Sequence, residues 1–236
     1  MQTHQQSERT GRGRASVPSG GFKGVLFDVD GVLVDSEPFI AEAAVLMFAE
    51  LYGVAATAKE FAPFIGTGEA SYLGGVAGAH GVTLDLARAK RRTYELYFKV
   101  IQGRLKAVPG AIEFVRALRA AGIKTAIATS ADKIKLDANL REIGLVEEDF
   151  DAVLTGLDVE RKKPFPDIYL EAARRIGVTP AECLVVEDAP EGIRAGAAAG
   201  SSCLGISTTF HEEELLESGA FIVLKDLTDT FSLLFS

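Results

Sequence analysis

An α/β fold, a Rossmann-like parallel sheet with a helical block inserted after its first strand, is the class this sequence predicts. Three observations predict it. Short apolar runs rich in branched residues end in isolated polar residues, as buried parallel strands do where they meet a crevice. After Pro109-Gly110 these runs alternate with helical stretches, the pattern of βαβ units. Between the first run and the second, about seventy residues carry helical periodicity alone.

Taken in order, residues 24–30 (Gly-Val-Leu-Phe-Asp-Val-Asp) form the first strand. Pro38 stands near the start of the next helix, where its missing N–H costs nothing, and 39–52 is apolar at helical spacing. Further helical stretches cover 58–64, 69–79 and 84–102, separated by glycine-containing breaks. Then follow helix 111–121, strand 124–129, helix 132–143, strand 151–155, helix 165–176, strand 183–187, helix 191–199 and strand 203–206. A short helix near 212–217, a strand at 222–224 and a C-terminal helix close the chain. The expected division is a disordered polar tail over 1–20, a Rossmann-like core of 21–35 plus 107–236, and a helical cap of 36–106. The crossings near 35–37 and 106–108 would be hinges.

The 236 residues are 47% apolar and 25% charged, an ordinary globular composition. A net charge of −8 argues against nucleic acid, whose backbone calls for clustered Lys and Arg. A small anionic substrate remains compatible, because one lysine and a bound metal can reverse the local sign. No run approaches the 18 or so apolar residues of a membrane helix. Cys183 and Cys203 each open an apolar segment and read as small buried hydrophobes rather than a disulfide, which fits a reducing compartment, cytoplasm or plastid stroma. The tail has no apolar stretch of the secretory kind; it reads as an inert extension or a targeting remnant.

Four motifs carry the chemistry. Asp28 and Asp30 lie two apart at a strand end, so both carboxylates can face the same way, and they repel unless a cation or a proton intervenes. In one division of labour Asp28 binds a metal and attacks phosphorus, while Asp30 gives a proton to the leaving oxygen and then activates water. Gly31 permits a turn closed to side chains. The bland alternative is a turn with solvated acids. Thr129 and Ser130 precede a helix whose free N–H groups suit a phosphate, although either could simply cap it. Lys162 and Lys163 precede Pro164, which can open a helix; Lys163, beside the proline, is the better candidate to neutralise a phosphoryl group, against a solvated surface pair. Glu187-Asp188 ends Leu-Val-Val, and buried acids need a partner. Mg²⁺ suits them, though Asp188 could also cap the helix ahead of Pro190.

With those residues in order, the chain resembles the haloacid dehalogenase superfamily of phosphotransferases from Phe22 to about Asp226. The resemblance implies that Asp28 accepts the phosphoryl group, Asp30 is the acid/base, Thr129 binds phosphate and Lys163 is the family lysine. It implies Mg²⁺ held by the side chains of Asp28 and Asp188, the backbone carbonyl of Asp30, and Glu187 directly or through water. The helical insertion, Lys163-Pro-Phe-Pro-Asp167 and Glu187-Asp-Ala-Pro-Glu-Gly192 resemble the subgroup of β-phosphoglucomutases and small sugar-phosphate phosphatases. That subgroup's mutases carry a histidine where this chain has Ile40, and a cap arginine where it has Ile65-Gly-Thr-Gly-Glu-Ala70. Both departures favour hydrolysis over a bisphosphate intermediate. The stretches 63–75 and 131–140 are similar to the suppressor-of-quenching subfamily of plant thylakoid proteins, which brings in the chloroplast.

The expectation is a Mg²⁺-dependent phosphatase, acting as a monomer on a small phosphorylated metabolite, with Thr67, Glu69 and one of Lys90, Arg91 or Arg92 as cap contacts. For the basic run a solvated helix face is the simpler reading. The rivals are a phosphoglucomutase-type isomerase and a regulatory domain with little turnover.

Overall fold

The computed structural model describes residues 18–65 and 68–235; the tail up to residue 17 lies outside the described residues. Six strands form one wholly parallel sheet: β1 (Gly24–Phe27), β2 (Lys124–Ala128), β3 (Ala152–Leu154), β4 (Cys183–Glu187), β5 (Ser202–Ile206) and β6 (Ile222–Leu224). Their spatial order is β3-β2-β1-β4-β5-β6. The direction of winding reverses between β1 and β4, and ligands of open α/β sheets bind at the carboxyl ends beside such a point.

The strand pleat divides the core. Val25 and Phe27 pack into one apolar cluster and Leu26 into the other, on the opposite face of the sheet, as alternation requires. The first cluster runs without a break into the helices that follow β1: α1 (Glu37–Tyr52), the 3₁₀ segment Ala58–Phe64, α2 (Glu69–Ala79) and α3 (Leu86–Ile101). Met47 and Phe48 of α1 are fully buried there, each worth roughly 1.5–3 kcal/mol of apolar burial. The second cluster gathers α6 (Asp167–Ile176) and α7 (Pro190–Ala199) against the sheet. Helices α4 (Ala111–Ala120) and α5 (Lys133–Ile143) cover the first face, and α8 (Glu212–Ser218) and α9 (Thr230–Phe235) complete the chain. Where the chain leaves and re-enters the sheet region, Val34 bridges Ala107 and the Val108 N–H donates to the Leu33 carbonyl.

Two expected boundaries are corrected. The first strand stops at Phe27 rather than residue 30, because the N–H groups of Leu33 and Val34 turn back to the Val29 carbonyl and curl the chain out of the sheet. The helix expected from residue 165 begins at Asp167, and Pro164 does not open it. Phe165 precedes Pro166, and a residue before proline is driven out of the α region. The Lys163–Pro164 peptide is cis. Both cysteines are free and buried, and burial pushes each thiol up to about 12. Among the described residues no helix is long and apolar enough to cross a membrane.

Candidate active site

Strand register assembles the site. Phe27 pairs with both Ile127 and Val186, so the next residues, Asp28, Ala128-Thr129 and Glu187-Asp188, emerge side by side at one rim. The Asp28 N–H donates to the Val186 carbonyl and the Thr129 N–H to that of Leu154, extending the ladder one step past the strands. Above this rim lies a cavity of about 160 Å³. Asp28, Asp30, Gly31, Thr129, Ser130, Lys163, Glu187 and Asp188 all line it.

Lys163 is the hub. Its ammonium donates to Asp28 Oδ1 at 2.7 Å and to Glu187 Oε1 at 2.6 Å, and its side chain is only 9% exposed. It also sits 5.1 Å from the Tyr169 ring centroid. Burial works against its charge, but the two carboxylates outweigh that and hold its pKa above the usual lysine value. Asp28 keeps Oδ2 without a donor among the described residues. Burial pushes its pKa up to about 7, with Lys163 opposing and Glu187 and Asp30 adding to the rise. Asp188 is also raised, by burial and by the neighbouring carboxylates of Glu187 and Asp28.

Ligand atoms of Asp28, Glu187 and Asp188 lie within 4.8 Å of one another, all buried. Three carboxylates around a single ammonium leave an excess of negative charge, which a divalent cation would balance. Glu187, however, is already saturated. Its Oε1 accepts from Lys163 and from the Tyr169 hydroxyl at 2.6 Å, and its Oε2 from the N–H groups of Asp188 and Ala189. Four donors fill the four lone-pair positions of an ionised carboxylate. Asp28 and Asp188 therefore have oxygens to offer a metal, and Glu187 fits as the group that fixes the loop and the lysine.

Two glycines are required by close approach. Gly31 adopts φ +76°, and a Cβ there would overlap the Asp188 carboxylate. Gly192, in the first turn of α7, stands where a Cβ would overlap the Glu187 carboxylate. Gly192→Ala is expected to cost about 1–3 kcal/mol, the range for overpacking, because Glu187 cannot shift without surrendering its donors. Urea unfolding of the variant checks this, and a midpoint equal to wild type would contradict it.

Asp30 is gripped by residues the motifs do not reveal. Lys135 donates to its Oδ2 at 2.8 Å, while Ser36 and, at 3.2 Å, Asn139 donate to Oδ1. Tyr97 of α3 donates to Asn139 Oδ1 at 2.6 Å, so the amide must turn its NH₂ toward Asp30. Burial opposes the Asp30 charge, yet Lys135 and these hydrogen bonds prevail and hold its carboxyl below the ordinary range. A signal was present in the sequence. Lys135 and Asn139 fall one before Leu136 and Leu140 on the inner face of α5, so both are polar residues at buried helical positions.

The hydroxyl of Thr129 accepts from the Ala131 N–H at 3.1 Å, and Ser130 is exposed at the cavity edge. Lys162 is exposed and donates to the Val159 carbonyl, away from the cavity. Thr67 lies outside the described residues; Glu69 opens α2, with its side chain undescribed. None of Lys90, Arg91 and Arg92 lines the cavity. Lys90 pairs with Asp132, and Arg92 with Glu50 and Glu95, so those two fasten α3 to its neighbours.

A haloacid dehalogenase-like hydrolase family model matches residues 22–200. The chain is 43% identical over 206 residues to Protein SUPPRESSOR OF QUENCHING 1, chloroplastic, of Arabidopsis thaliana; the match covers 86% of this chain and only 19% of that protein. It is 35% identical over 206 residues to the Phosphorylated carbohydrates phosphatase of Thermotoga maritima, covering 85% of this chain and 93% of that one. The solved structure of CbbY from Rhodobacter sphaeroides in complex with phosphate aligns with a TM-score of 0.78 at 28% identity, over 88% of this chain and 96% of that one.

Proposed function

The chain belongs to the haloacid dehalogenase-like hydrolases and is a phosphoric monoester hydrolase of that family, from which we propose that it is a Mg²⁺-dependent phosphatase for a small phosphorylated carbohydrate or similar metabolite. The observation that carries the reading is Asp28, which lines the cavity with one carboxylate oxygen fixed by Lys163 and the other without a donor among the described residues.

In the first step Asp28 Oδ2 attacks phosphorus, the bond from phosphorus to the leaving oxygen breaks, and Asp30 protonates that oxygen. In the second, Asp30 takes a proton from water, the water oxygen attacks phosphorus, and Asp28 is released with inorganic phosphate. Lys163 and the Thr129 loop orient the phosphoryl group, so that catalysis is mainly positioning and charge balance. As held by Lys135, Ser36 and Asn139, Asp30 is set as the base of the second step. The acid of the first step is the same carboxyl in its protonated form. Asp28 and Asp188, with the Asp30 carbonyl, would hold Mg²⁺, and Glu187 would fix Lys163 and the loop beside it. Once bound, the ion supplies charge neutralisation for the incoming phosphate and for the Asp28 carboxylate. The helices of residues 36–106 act as a cap whose closure excludes water. A plastid setting is part of the same reading and rests on the chloroplastic relative.

Phosphate release from a panel of sugar and polyol phosphates, with Mg²⁺ and with EDTA, tests this. Release with Mg²⁺ and none with EDTA is expected. A sugar 1-phosphate supplied with a trace of bisphosphate tests the mutase alternative: isomer without free phosphate would overturn the hydrolase reading. The metal site has a readout of its own. Mg²⁺ at about ten times its Kd should raise the wild-type Tm by roughly 3–6 °C, and Asp188→Asn should abolish the rise.

A further inference from the structure

The cavity wall away from the phosphate end is the part the mechanism leaves unused. There Glu37, at the start of α1, accepts a hydrogen bond from the Tyr72 hydroxyl of α2 at 2.9 Å through Oε1. Its Oε2 has no donor among the described residues. Tyr72 is itself buried and packs on Phe61, ring centroids 4.9 Å apart, so the hydroxyl is fixed in place. Around the pair the wall is apolar: Ile40, Phe64, Ile65 and Phe210. The charge balance of the cavity is lopsided, since two lysines meet six carboxylates among the residues that line it. Both lysines are committed, Lys163 to Asp28 and Glu187, Lys135 to Asp30. Among the described residues no arginine or histidine lines the wall.

We propose that Glu37 and Tyr72 form a subsite for a hydroxyl of the substrate's leaving group, and that this wall selects uncharged polyhydroxy monophosphates against phosphate esters bearing a second anion. The inference rests on the phosphatase reading and narrows its substrate class. A carboxylate or second phosphate on the leaving group would meet Glu37 with no free cation to receive it, whereas a hydroxyl donates to Oε2 and brings no charge. Burial raises the Glu37 pKa, against the opposing effects of Lys135 and the Tyr72 hydroxyl. Glu191, half-buried and paired with Arg194, adds a further negative group at the rim.

Steady-state kinetics with Mg²⁺ on three probes test the subsite: sorbitol 6-phosphate, 2-phosphoglycolate and p-nitrophenyl phosphate, which has no leaving-group hydroxyl. Wild type should prefer sorbitol 6-phosphate to 2-phosphoglycolate in kcat/KM. Glu37→Ala should lower kcat/KM for sorbitol 6-phosphate by about 10- to 100-fold, the range for a hydrogen bond to a charged group, mostly through KM. It should leave p-nitrophenyl phosphate within about threefold and narrow the gap to 2-phosphoglycolate. Glu37→Gln, which keeps an acceptor of the same shape, should retain part of the polyol activity. Equal losses on sorbitol 6-phosphate and p-nitrophenyl phosphate, or a wild type that turns over 2-phosphoglycolate as well as the polyol ester, would overturn the subsite while leaving the phosphatase intact. Wild type inert on all three, at the level of Asp28→Asn, would remove the phosphatase reading and the subsite together.

Discussion

Asp28→Asn lowers phosphate release by about 10⁴-fold or more while the fold survives, because the amide has the carboxylate's shape but no nucleophilic oxygen. The variant also separates catalysis from stability. Asp28 sits among buried carboxylates with a pKa pushed up to about 7, above the ordinary value near 3.8. For an acid whose folded pKa is raised, the contribution to stability is fully present below the unfolded pKa and is lost as pH rises through the folded one. Ionised Asp28 therefore counts against the metal-free fold above about pH 7, and Asn does not. The Tm of Asp28→Asn in EDTA should exceed that of wild type at pH 8, and the two should converge near pH 4. Phosphate release by the variant at the wild-type rate would remove Asp28 from the chemistry. A wild type more stable than the variant at pH 8 would mean that the Lys163 ion pair outweighs the crowding.

How much of this was legible in the sequence depends on which physical signal each residue leaves. Apolar runs that stop at a polar residue mark the strand ends, so the places of Asp28, Thr129 and Glu187-Asp188 followed from hydrophobicity and the topology rule alone. The family followed from the same four motifs, and the match over residues 22–200 agrees with it. Which acid meets which lysine was not legible, because that depends on register and on loop paths. Lys163 could be expected at the rim, but not that it would join Asp28 to Glu187. For Lys135 and Asn139 the helical spacing was a signal that composition obscured. Their helix carries lysines on both faces, Lys133 exposed and Lys135 buried, and charge alone reads both as surface. Glu37 lay at the expected crossing near 35–37, yet only the fold brings α2 across to it.

Lys163→Met carries the largest expected effect on stability. The lysine is the only cation hydrogen-bonded to Asp28 and Glu187 among the described residues, and its alkyl chain and ammonium are enclosed. Methionine fills a similar volume but leaves two buried carboxylates without their cation, and breaking a buried pair in this way costs about 3–5 kcal/mol. Loss of the cation over the Tyr169 ring adds to the same term. In metal-free protein the urea midpoint should fall with an unchanged m-value. Two controls tie the loss to charge rather than packing. Mg²⁺ should recover part of it, since a divalent ion between Asp28 and Asp188 relieves the same excess. In the Asp28→Asn background the cost of Lys163→Met should shrink, with a coupling of about 0.5–3 kcal/mol. Activity should fall as well, because the phosphoryl group loses its fixed positive partner, and Lys163→Arg should rescue it poorly: a planar fork does not reproduce a point charge shared by two carboxylates. A cost under about 1 kcal/mol in wild type, or the same cost in the Asp28→Asn background, would show that Lys163 does not balance this cluster. The charge argument for the metal site would then lose its footing.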